Sequence, residues 1–132
     1  MGRPARLIVA ALLAAAALWM ISHPLSIAEL LGRPHETHSQ RINLRATWGG
    51  TVLGLALFAA WFPGFATQGR VLGAGLLGAL MAGIAIARVA GFALDGQPDK
   101  LQWVWLVAEI ALFIGAAIAV RKMGSPAPSG AT

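Results

Sequence analysis

The sequence predicts an all-α, polytopic membrane protein, an antiparallel up-down four-helix transmembrane bundle. Three observations predict it. Four long apolar stretches fill most of the 132 residues. Only 11% of the residues are charged, where a soluble domain has about 25%, so the chain is too poor in charge to cover a water-facing surface. The connections between the stretches are short, and short connections join antiparallel neighbours. The length allows a single domain, expected over residues 1–123, with spans at about 7–30, 42–62, 71–94 and 101–120 and a disordered tail at 124–132.

The first span follows Arg3, Pro4 and Arg6. Leu7 to Ile21 is unbroken apolar sequence, and a helix can continue past Pro24 to about Leu31. Roughly 20 helical residues cross a hydrocarbon core of about 30 Å. Pro24 lacks an N–H and is expected to kink or loosen this helix. The same segment also fits a signal peptide, with Arg3 and Arg6 as its basic region and Ser26-Ile27-Ala28 as a small-x-small cleavage site. Residues 32–40 form the first polar loop, and the second span starts near Arg41 or Asn43. Pro63-Gly64 ends that span, as this breaker pair does elsewhere. The third span leads into a tight Asp95-Gly96-Gln97-Pro98 turn. The fourth stops at Arg121-Lys122, and the small, Pro-rich residues beyond are expected to stay disordered.

A formal charge of +5 invites a nucleic-acid reading. The cations form no basic stripe, however, and they sit at span ends where headgroup and topology signals belong. No nucleic-acid partner is expected; membrane lipids are. Trp48, Trp61, Trp103 and Trp105 fall within about two turns of a span end, as interfacial anchors do. Arg3, Arg6, Arg70, Arg121 and Lys122 flank one side, and Arg33, Arg41 and Lys100 the other. This balance favours both termini in the cytoplasm. The chain has no cysteine, which excludes disulfides, thiolate metal sites and cysteine nucleophiles.

Helices in lipid gain little from the hydrophobic effect and associate through close packing of small residues. Gly75, Ala79, Gly83, Ala87 and Gly91 recur every four residues in the third span, and Gly50 and Gly54 make a GxxxG pair in the second. These positions are expected to pack helices within one chain. The alternative is a seam in a homodimer or a larger membrane complex.

Ionisable residues inside a membrane span mark sites, because each costs roughly 2.5–3.5 kcal/mol to insert. Arg88 and Glu109 lie at similar depth on spans joined by a sharp turn, so a buried pair is expected. Arg88 and Asp95 are seven residues apart and share a face. Arg45 enters from the same side, with Asn43, Glu29 and His23 near it. Two readings stand: a structural lock between helices, or an outward polar pocket in which Arg45, Arg88, Asp95 and Glu109 bind a ligand. Forked guanidinium donors suit a carboxylate or phosphate. His35 and His38 bracket Glu36 in the first loop, but His-Glu-Thr-His is not the helical zinc motif. No metal site and no cofactor are expected. No P-loop, dinucleotide fingerprint or nucleophile elbow occurs, and Glu109 has no evident nucleophile beside it, so no enzyme activity is expected.

Two segments resemble the signature of a family of small bacterial membrane proteins catalogued as a domain of unknown function. Arg45-Ala46-Thr47-Trp48-Gly49-Gly50 is similar to the Arg-Ala-x-aromatic-Gly-Gly opening of that family's second helix. Arg88, Gly91 and the Asp95-Gly96 turn, followed by Glu109, resemble its third-helix end and last-helix carboxylate. The resemblance spans about residues 41–120. It implies four membrane helices in a bacterial cytoplasmic (inner) membrane. It directs attention to Arg45, Arg88, Asp95 and Glu109, and it implies no substrate.

The expected function is therefore a small integral membrane protein that binds a lipid or amphipathic anionic ligand in the outward pocket. The alternative is an accessory subunit of a larger membrane complex. A small transporter is less favoured, because the first span carries no central acid.

Overall fold

The structure is a computed structural model that describes residues 2–33, 37–62 and 69–125. Among these residues all regular structure is helical: α1 (Arg3–Ser22), α2 (Pro24–Leu30), α3 (His38–Leu44), a π-helical segment (Arg45–Gly50), α4 (Thr51–Trp61), α5 (Gly69–Asp95) and α6 (Lys100–Gly124). Helices α1, α5 and α6 are each long and apolar enough to cross a membrane.

The first expected span is two helices. His23 leaves the helical region at φ −124°, ψ 59°, because a proline at position 24 disfavours α geometry in the residue before it. Ile21 thereby keeps a carbonyl near the helix end that no intrahelical donor claims. The second expected span is a continuous helical path from His38 to Trp61, but α only at its two ends. It begins earlier than the hydrophobic pattern suggests. Thr37 Oγ1 accepts from the Gln40 N–H at 3.2 Å while Gln40 Oε1 accepts from the Thr37 N–H at 3.3 Å. This reciprocal capping box satisfies two of the orphan donors at a helix start.

α5 ends where Gly96 takes φ +94°, the left-handed conformation that favours glycine after a helix. Asp99 then caps α6, its Oδ1 accepting from the Gln102 N–H at 3.0 Å. α6 runs to Gly124 and so takes in the first residue expected in the tail. The Pro63-Gly64 breaker, His35, Glu36 and tail residues 126–132 lie outside the described residues.

Consecutive long segments pack antiparallel. Arg6 Nη1 donates to the Phe62 carbonyl at 2.9 Å at one end of the α1–α4 contact. At the other end, a Cβ placed on Gly49 would fall 3.0 Å from the Ile21 nitrogen. The four-residue ridge of α5 faces the His38–Trp61 path along its length. A Cβ on Gly50 would lie 2.6 Å from Ile84 Cα, and one on Gly54 would lie 2.6 Å from Leu80 Cα. Gly83 abuts the backbone of Gly50 and Gly54, Gly75 lies under the Phe62 ring, and Gly91 meets Ile42. The crossing is therefore backbone against backbone, which only small residues permit. α6 packs chiefly on α5, where Gly78 faces Ala116 and Phe92 stacks at a tilt on Trp103.

Polarity is distributed inside out. Ile8, Leu12, Leu30, Trp61, Leu94, Val104 and Val107 are exposed, while Arg45, Arg88, Asp95, Gln102 and Glu109 are buried. Exposed apolar surface on this scale fits helices whose solvent is lipid.

Candidate functional site

Two buried ion pairs form at the end of the molecule where α5 turns into α6. The first joins α5 to α6. Arg88 Nε donates to both Glu109 oxygens at 3.0 Å, and Nη2 donates to Oε1 at 2.6 Å. Arg88 Nη1 also donates to the Gln102 side-chain oxygen. Gln102 in turn donates from Nε2 to the Ser39 carbonyl at 3.4 Å, which ties the cluster to α3. Helical spacing explains the set. Gln102 and Glu109 are seven residues apart, nearly two turns, so both face α5.

The second pair joins α5 to the π-helical segment. Arg45 Nε donates to Asp95 Oδ2 at 2.8 Å, and Nη2 donates to Oδ1 at 2.9 Å. The remaining nitrogen, Nη1, donates to the Ile21 carbonyl that the break at His23 leaves available. The π geometry makes this aim possible. Residues i and i+5 of an α-helix point about 140° apart; a turn closed by i→i+5 bonds brings them nearer one direction. Arg45 and Gly50 can thus both face α5, the first on Asp95 and the second on Ile84.

Each pair cancels its own charge through charge-assisted bonds, which are roughly twice as strong as neutral ones. Removing one member leaves a buried charge without compensation. Arg41 adds a further cation: its Nε lies 3.7 Å from Asp95 Oδ1, and its Nη2 donates to His38 Nδ1 at 2.7 Å.

The four residues singled out in the sequence therefore fall into two pairs, and each pair lines its own cavity. Arg88 and Glu109 border a cavity of about 370 Å³, whose walls include Met81, Ile84, Trp105 and Leu112. Asn43 and Thr47, both exposed, stand at its polar edge. Arg45 and Asp95 border a second cavity of about 320 Å³ with Arg41, His23, Ser22 and Ser26. Glu29 is exposed on α2 and lines neither. Sequence reasoning missed Gln102 and the Ile21 carbonyl. The seven-residue step from Gln102 to Glu109 was a usable signal for the first. The second depends on where α1 ends.

Neither a curated protein nor a solved structure matches the chain. The model of a family described as a domain of unknown function, DUF4345, matches residues 3–120 and so takes in both ion pairs, and the chain belongs to that family.

Proposed function

We propose that the chain is a four-span, up-down membrane bundle that holds a lipid or other amphipathic, anionic molecule in the cavity over Arg88 and Glu109. The observation that carries this reading is the cavity's make-up. A volume of about 370 Å³ falls in the range of small-molecule sites, about 300–1,000 Å³. Its walls are apolar, its floor is a buried ion pair, and its edge carries two uncharged polar side chains. An acyl chain would lie on Met81, Ile84 and Leu112. A polar head would meet Asn43, Thr47 and the guanidinium N–H groups that Glu109 and Gln102 leave free.

The small-residue ridge of α5 faces the chain's own residues, which favours ligand binding over docking to a larger complex through that ridge. The balance of flanking cations supports cytoplasmic termini in a bacterial inner membrane.

Native mass spectrometry from mild detergent tests the reading. Wild type should retain lipid. Ala108→Phe, which fills the cavity, should lose it, while Ala11→Phe on the exposed face of α1 should not. If Ala108→Phe carries the same lipids as wild type, the proposal fails.

A further inference from the structure

The cavity between α2, α3 and the end of α5 has a charge imbalance that the first cavity lacks. Two guanidinium groups, Arg41 and Arg45, face one carboxylate, Asp95. The other residues lining it, Ser22, His23, Pro24, Leu25 and Ser26, bring no acid. Both Asp95 oxygens are already engaged by Arg45 at 2.8 and 2.9 Å. Arg41 is left as the surplus cation. Its Nε is shielded from solvent and makes no hydrogen bond, because 3.7 Å to Asp95 is too long for one. Among the described residues the site is therefore short of one negative charge.

We infer that this cavity is a binding site for a phosphate-type oxyanion, with Arg41 as the residue that holds it. About 320 Å³ accommodates such a group. The site lies at span ends, where α1 breaks and α5 stops, at the level where phosphate is available from lipid headgroups or from the aqueous side. It uses none of the residues of the Arg88–Glu109 cavity, so either site can fail without the other.

The test is thermal melting of the full chain in nonionic detergent, followed by circular dichroism. Inorganic phosphate is titrated against chloride at matched ionic strength, and phosphatidylglycerol against phosphatidylcholine. Wild type should melt several degrees higher with phosphate, with phosphatidylglycerol or with both. A response to both marks a free-anion site, and a response to phosphatidylglycerol alone marks a headgroup site. Arg41→Gln should lose the response, and Lys100→Gln, which removes an equal charge outside the cavity, should keep it. Should Arg41→Gln not fold, Ser26→Phe fills the cavity with both arginines in place and should lose the response. No response in wild type, or an equal response in the cavity variant that folds, overturns the inference.

Discussion

Arg45 and Asp95, fifty positions apart, close a two-pronged ion pair at 2.8 and 2.9 Å that pins the π-helical segment to the last residue of α5. Arg45 is held from a third direction by the Ile21 carbonyl, so one guanidinium gathers three separate pieces of chain. Asp95→Asn removes the only carboxylate among the described residues that line that cavity with Arg41 and Arg45. The loss should be roughly 3–5 kcal/mol, the cost of stranding a buried charge. Asp99→Ala, four residues on, removes only a helix cap and should cost about 1 kcal/mol. Unfolding of both variants in detergent, followed by circular dichroism, checks the contrast.

The Gln102 side chain bridges Arg88 to the Ser39 carbonyl. Gln102→Met keeps the shape and removes both bonds. It should destabilise the fold by about 1–3 kcal/mol through the donor left unpaired on Arg88. The same melt reads it out, and a change below about 0.5 kcal/mol would mean that the bridge contributes nothing.

Glycines of one helix should respond with opposite signs. Gly83 touches the backbone of Gly50 and Gly54, so Gly83→Val should destabilise by about 1–3 kcal/mol or more. Gly73, on the same helix, has open space where a Cβ would go. Gly73→Ala should stabilise by about 0.5–1 kcal/mol, the helix preference of alanine over glycine. Paired stability measurements on the two variants decide it.

Much of this architecture is readable from the residues. The apolar runs mark α1, α5 and α6. Pro24 marks the break at His23, and the sharp turn after Asp95 places Arg88 beside Glu109. The start of α3 was also legible, in the Thr37-x-x-Gln40 capping pattern, but it was hidden by its place in a polar stretch. The partner of Arg45 was not legible. The sequence puts Arg45 on the same side as Arg88, Asp95 and Glu109 without choosing among them, whereas a π-helical turn aims it at Asp95, and no local signal announces that turn. The division of one expected pocket into two cavities follows from the same rotation. The sequence shows Arg41 only as a span-boundary cation, because its place beside Asp95 depends on which oxygens Arg45 has already taken.

The Arg88–Glu109 contact floors the proposed ligand cavity, and a double-mutant cycle tests it most directly. Arg88→Met and Glu109→Leu should each cost roughly 3–5 kcal/mol alone. Together they should cost far less than their sum, with a coupling energy of at least about 2 kcal/mol. Costs that add to within about 0.5 kcal/mol would contradict the pairing and the site built on it.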